Sequence, residues 1–167
     1  TARGRLRREA GEEPKVGFKK PAAKALTIGK QPIYGVYFHG PAYQVIEKAA
    51  VEEGSVVALM ASDLGPNASP ADAATVTSPR LLEFLFQAAG LWLIVRRETM
   101  ALPTSLAKAV FHRAPEEAQD KRLYALVEVR EEGAAFDGKV VDEKGLVYAE
   151  VVAYRTVALP ERRTLAL

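Results

Sequence analysis

Leu81-Leu82-Glu83-Phe84-Leu85-Phe86-Gln87-Ala88-Ala89-Gly90-Leu91-Trp92 is the stretch whose reading decides the fold. It is apolar nearly all round, the pattern of a helix enclosed by a domain rather than laid on its surface. Glu83 and Gln87 stand four positions apart and share one helical face. A carboxylate in such surroundings is costly unless it is paired, neutralised or put to chemical use. Ser78 supplies an N-cap and Pro79 occupies the first helical position, so the helix should open there and run to about Arg97.

Downstream of this helix the apolar period changes from helical to two. Leu106 to Arg113, Arg122 to Glu131, Ala134 to Val141 and Leu146 to Leu159 are predicted strands. Glu131-Glu132-Gly133 and Asp142-Glu143-Lys144-Gly145 are their hairpin connections, and Asp137-Gly138 inside the third segment marks a bulge or a strand start. Upstream, Ile33 to Phe38 predicts a short strand stopped by Gly40-Pro41. Ala42 to Val51 predicts one or two helical turns, Ser55 to Ala61 a strand, and Leu64 to Thr77 a loop. One long apolar helix followed by a meander of long strands implies an α+β domain whose antiparallel sheet curls around the helix.

The chain has 167 residues, enough for one domain with a sizeable core. Residues 1–30 carry a basic cluster at Arg3, Arg5, Arg7 and Arg8 and little apolar periodicity, which suggests a linker or loosely attached arm. The domain proper is expected over residues 31–160, with 161–167 as a C-terminal tail. A net charge of +2 gives no case for nucleic acid. The absence of cysteine excludes disulfides, Cys-based zinc sites and thiol nucleophiles, and fits a reducing, cytoplasmic setting. The apolar run from Phe84 to Val95 is shorter than the ~20 residues a membrane span needs, and no secretory signal opens the chain. A start at Thr1 rather than Met suggests a piece of a longer polypeptide or a processed chain.

The architecture is that of the hot-dog fold, and two motifs strengthen the reading. Residues 82–90 resemble the hot-dog helix of bacterial 3-hydroxyacyl-carrier-protein dehydratases, where an acidic residue is followed four positions later by Gln and then by small residues. Tyr37-Phe38-His39-Gly40-Pro41-Ala42-Tyr43 resembles the aromatic-Gly-Pro segment of dehydratase domains in polyketide and polyunsaturated fatty acid synthases. In those domains that segment lies in the second of two fused hot dogs, upstream of a helix bearing Asp-x-x-x-Gln/His. The resemblance spans about Pro32 to Leu159 and identifies the chain as similar to this C-terminal half.

The resemblance implies elimination of water from a 3-hydroxyacyl thioester carried on the phosphopantetheine of an acyl carrier protein, with no further cofactor and no metal. A family dehydratase uses a His as base at the α-carbon and a helix-borne Asp or Glu as acid, the latter with its pKa raised by a dry tunnel. By residue match Glu83 is the acid, with Gln87 orienting it or the hydroxyl. Tyr37 and His39 line the tunnel mouth with Tyr43, and the Gly40 amide meets the thioester carbonyl. The chain departs from the pattern in carrying Glu for Asp at position 83 and His for Tyr at position 39. Neither His39 nor His112 lies in the His-x-x-x-Gly-x-x-x-x-Pro setting of the family base. The base is therefore expected from a second hot dog, in a homodimer or fused pseudo-dimer, which would also cover an exposed sheet edge.

Each residue also has a plainer reading. His39 serves as a structural hydrogen-bonding group or as a substitute base, and His112 is structural or exposed. Glu83 could be a buried carboxylate held by amides or an Arg, and Gln87 a packing residue. Trp92, Phe84 and Phe86 are core. Arg96-Arg97 face either an acidic carrier or simply the negative end of the helix dipole. Dehydratase is the favoured activity. The alternatives are a non-catalytic scaffold or carrier-docking hot dog and a hot-dog acyl thioesterase.

Overall fold

The computed structural model describes residues 14–70, 73, 75 and 77–165. Among them are two α-helices and eight strands in the order β1 (Ile28–Gly29), α1 (Lys30–Val36), β2 (Ile46–Val51), β3 (Ser55–Met60), α2 (Pro79–Arg97), β4 (Thr99–Ser105), β5 (Lys108–Phe111), β6 (Leu123–Arg130), β7 (Ala135–Asp142) and β8 (Val147–Arg162). The sheet is antiparallel throughout, in the order β1-β2-β3-β6-β7-β8-β4, with β5 pairing the first half of β8. It is the expected hot-dog arrangement, a long helix wrapped by a curved sheet.

The helix begins at Pro79 and ends at Arg97, as its sequence predicts, although the Ser78 side chain makes no cap bond. Leu81, Phe84, Leu85 and every residue from Gln87 to Ile94 are buried, so the continuous apolar surface is matched by sheet on most sides. Trp92 anchors the far end by donating its indole N–H to the Glu52 and Glu53 carbonyls in the β2–β3 turn. The β6–β7 ladder is unbroken from Leu123↔Asp142 to Arg130↔Ala135. Asp137-Gly138 does mark a bulge. The register against β8 slips between Phe136 and Gly138, and the Asp137 carboxylate accepts the Ala153 N–H at 2.8 Å.

The upstream segments differ from expectation. Residues 33–36 belong to helix α1 rather than to a strand. Pro32 sits in the first turn of α1, where a missing N–H costs nothing, and the helix places Tyr34 and Tyr37 three apart on the side facing α2. Those tertiary hydrogen bonds override the strand propensity of Ile33-Tyr34-Gly35-Val36. Ala42 to Val51 is not helical beyond a single 3₁₀ turn at Pro41–Tyr43; β2 takes its place. A register slip between Ile46 and Lys48 leaves Ile46 and Ala49 as the two buried positions of the strand, and that spacing of three imitates a helix in the sequence. Strand β4 has no counterpart among the expected elements, because it is an edge strand with Pro103 in it and only Met100 buried.

Residues 1–13 of the expected loose arm lie outside the described residues. From Pro14 onward the segment packs on the domain. Val16 N–H bonds the Gly145 carbonyl, Val147 N–H bonds the Pro14 carbonyl, and Phe18 packs on Tyr124 with ring centres 5.1 Å apart. Lys20 pairs with Glu143. This strap covers a second apolar cluster of Leu26, Leu59, Tyr124, Val141 and Val147 on the sheet face away from α2.

Candidate active site

Three elements converge on one face of α2. Arg80, Glu83 and Gln87 follow one another at helical spacing along that face. Opposite them lie α1, with Tyr34 and, as its C-cap, Tyr37, and the loop that follows it, with His39 and the Pro41–Tyr43 turn. Arg80 fastens the two sides together. Its Nε–H donates to the Ala42 carbonyl at 3.0 Å, its Nη2 to the Gly65 carbonyl, and its guanidinium lies 6.0 Å over the Tyr43 ring.

Glu83 and Gln87 are joined as the sequence spacing suggests, the Gln87 Nε2–H donating to Glu83 Oε1 at 3.0 Å. His39 Nε2 lies 2.9 Å from the same oxygen. The imidazole is sandwiched, its face against Phe38 (5.0 Å between centres) and Tyr37 meeting it edge-on at 5.3 Å. Its Nδ1 is buried without a hydrogen-bond partner, and Nε2 is the nitrogen that donates to the carboxylate. The carboxyl remains within reach of solvent, with 26% of the Glu83 side chain exposed.

These contacts reverse one expectation. Burial pushes the Glu83 carboxyl upward, but the hydrogen bonds from His39 and Gln87 and the charge interaction with His39 outweigh it, and its pKa is held below the ordinary glutamate value. A dry tunnel with no donors would have raised it. The apolar residues around Glu83 signal the burial; of the two donors, the helix sequence shows Gln87 but not His39.

Gln87 is 2% exposed and fully used. Its Oε1 accepts the Tyr34 hydroxyl at 2.7 Å, and its Nε2 also donates to the Tyr43 carbonyl at 2.8 Å. Tyr37 reaches past the amide to donate to the Gln87 main-chain carbonyl at 2.7 Å. Gly90 makes this possible, since a Cβ there would lie 2.6 Å from the Tyr37 hydroxyl oxygen. Burial raises the pKa of both phenols, so each stays a neutral donor. Tyr43 thus enters through its main chain, and Gly40 is exposed, its carbonyl accepting the Tyr43 N–H at 2.9 Å.

Two residues of this cluster have no signal in the sequence, Tyr34 and Tyr154. On the expected strand, Tyr34 would not share a face with Tyr37. Tyr154 on β8 stacks on Phe86 at 4.4 Å, and the negative charge of Glu83 contributes to the rise of its pKa behind burial. His112 is elsewhere, at the end of β5, with Nε2 3.8 Å from Glu150. Arg97 stacks on Trp92 and donates to the Glu132 carbonyl at the opposite end of α2.

A cavity of about 660 Å³ opens at the N-terminal end of α2, bounded by Met60, Leu64, Pro79, Leu81 and Leu123, with Arg80 between it and Tyr43. Among the described residues no group of three His, Cys, Asp or Glu could hold a metal ion. No described helix is long and apolar enough to cross a membrane.

The model of a protein family described as the polyketide synthase dehydratase N-terminal domain matches residues 34–166. No curated protein matches the chain. Among solved structures, the dehydratase domain from the CurF module of curacin polyketide synthase is 20% identical with a TM-score of 0.70, covering 90% of this chain and 55% of that one. A trans-acyltransferase polyketide synthase dehydratase domain from Brevibacillus brevis is also 20% identical, with a TM-score of 0.65, covering 91% and 56%. The dehydratase domain from the CurK module is 21% identical with a TM-score of 0.63, covering 86% and 51%. The chain thus spans about half the length of these structures. CurK dehydratases with one Asp replaced by Asn, and with one His replaced by Phe, are each described as inactive.

Proposed function

The chain belongs to the polyketide synthase dehydratase family, and from that premise we propose that it is the acid-bearing hot dog of a dehydratase, acting on a 3-hydroxyacyl thioester carried by an acyl carrier protein. The observation that carries this reading is the Glu83 carboxyl, presented by α2 with one oxygen fixed by His39 and Gln87 and its side chain still open to solvent. The family description names the N-terminal domain, whereas the order of the aromatic-Gly-Pro segment and the Glu83/Gln87 pair favours the second hot dog.

In the proposed step a base withdraws the α-proton, the bond from the β-carbon to oxygen breaks, and the hydroxyl leaves as water with the proton of Glu83. The product is an enoyl thioester, and Glu83 ends as a carboxylate. The two N–H donors stabilise that carboxylate and so make Glu83 a stronger acid. An acyl chain covering the half-buried carboxyl would strengthen the opposing burial effect and favour the protonated form before reaction. Neither His39 nor His112 suits the base. His39 is committed to Glu83 through Nε2, its Nδ1 is enclosed, and His112 is remote. The base would come from a second hot dog, a division that agrees with the separate Asp and His substitutions that inactivate CurK dehydratase.

A thioesterase is the second reading. A carboxylate held ionised is suited to taking a proton from water. An assay of the polypeptide on a 3-hydroxyacyl-carrier thioester separates the two. Dehydration predicts enoyl product that falls about 10²–10⁴-fold in Glu83→Gln. Enoyl formation that survives this substitution removes Glu83 from the acid role, and free acid without enoyl product establishes hydrolysis.

A further inference from the structure

Hydrogen bonds around Glu83 form a chain whose direction is set by main-chain atoms. The Ile46 amide can only donate, and it donates to the Tyr34 hydroxyl oxygen at 2.8 Å. The Tyr34 proton is thereby directed to its other neighbour, Gln87 Oε1, at 2.7 Å. With its oxygen so occupied, the Gln87 amide turns its NH₂ to the Tyr43 carbonyl, which can only accept, and to Glu83 Oε1. A flipped amide would set oxygen against both of those oxygens and NH₂ against a hydroxyl already committed by Ile46. Main-chain groups at both ends of the chain therefore agree on one orientation.

We propose that Tyr34 is a positioning residue for Glu83, its hydroxyl holding the Gln87 amide with the NH₂ aimed at the carboxylate. The bonds run head to tail from Ile46 through Tyr34 and Gln87 to Glu83, so each polarises the next and strengthens the last donor. Tyr34 never touches the carboxylate through its proton. The sense of the chain selects the anionic form of Glu83, so Tyr34 governs how readily that group gives up a proton. The proposal assigns Tyr34 a catalytic consequence only if Glu83 is the reacting group, but the orientation itself stands apart from the reaction.

The groups facing Glu83 are His39 from the loop after α1, Tyr34 and Tyr37 from α1, Tyr154 from β8 and Gln87 on α2 itself. Tyr37 is the internal control. It caps the same short helix and is partly buried in the same cluster, yet its hydroxyl bonds the Gln87 main chain rather than the amide side chain. The test is the titration of the Glu83 side-chain carboxyl by ¹³C NMR in the 167-residue chain, assigned with Glu83→Gln. Tyr34→Phe should move the midpoint up by a few tenths of a pH unit or more, with Tyr37→Phe leaving it near the wild-type value even where it lowers thermal stability. An unmoved midpoint in Tyr34→Phe overturns the proposal, and so do equal shifts in the two variants. The wild-type chain offers a second readout that does not depend on a variant folding. The Tyr34 hydroxyl proton and the Gln87 side-chain amide protons should titrate with the Glu83 midpoint, and a Gln87 amide that follows Glu83 while the Tyr34 proton does not would also overturn it. Because the readout is protonation rather than turnover, failure of the proposed dehydration leaves this result standing, and the reverse holds too.

Discussion

At the scale of single residues, Gly90 shows how closely the helix and α1 are fitted. Alanine is intrinsically better than glycine in a helix by about 1 kcal/mol, so Gly90→Ala would stabilise an isolated helix. In the folded chain the new methyl would lie 2.6 Å from the Tyr37 hydroxyl. The tyrosine must then withdraw from the Gln87 carbonyl, leaving a buried polar pair broken at a cost of roughly 1–3 kcal/mol, with repacking of the ring adding to it. Gly90→Ala is expected to lower stability by about 1–2 kcal/mol net in chemical denaturation. A variant as stable as wild type would mean that Tyr37 is not held where the geometry puts it. Glu83 is legible in the sequence as an anomalous carboxylate, and its link to Gln87 follows from spacing alone. Its second partner, His39, is not legible as such, because no local pattern ties position 39 to position 83.

At the scale of elements, the tight join between α2 and the β6–β7 connection rests on Gly133. The turn holds Glu131 and Glu132 at φ of 48° and 56° and Gly133 at 94°. A side chain at Gly133 would be strained by the backbone and would also place its Cβ 2.4 Å from the Trp92 ring. Gly133→Ala should cost about 2–4 kcal/mol from the two effects together, measured by thermal unfolding, with a perturbed Trp92 fluorescence as its signature. The hairpins and long strands are readable because each is a long run rich in β-branched and aromatic residues closed by turn residues; burial alternates strictly only over Phe136 to Val140 in β7 and Ala149 to Val152 in β8. Helix α1 and strand β2 defeat the same reading because each is short and irregular. In β2 a bulge makes a strand bury every third residue, and in α1 tertiary hydrogen bonds hold a β-rich sequence helical.

At the scale of the whole molecule, the sheet is covered on both faces, by α2 on one and by the strap that begins at Pro14 on the other. The strap alternates, with positions 14, 16 and 18 turned partly inward and 15, 17 and 19 more open to solvent. Phe18 is its main apolar contact, against Tyr124. Phe18→Ala should lower stability by about 1–2 kcal/mol, as expected for a partly buried ring, while leaving the titration of Glu83 on the opposite face unchanged. A shift of that midpoint in Phe18→Ala would show that the two faces are coupled through the sheet.

The sequence by itself determined the long buried helix, its limits, the strands from β5 to β8, and the pairing of a carboxylate with an amide one turn apart. All of these depend on periodicity within one segment, which a linear chain displays directly. The tertiary structure alone decided the protonation bias of Glu83 and the sense of the hydrogen bonds that create it. Those depend on His39, Tyr34 and the Ile46 amide arriving from segments 37 to 49 positions away from Glu83. Burial and donors act on the carboxyl in opposite directions, so its pKa follows from which of them the fold brings closer.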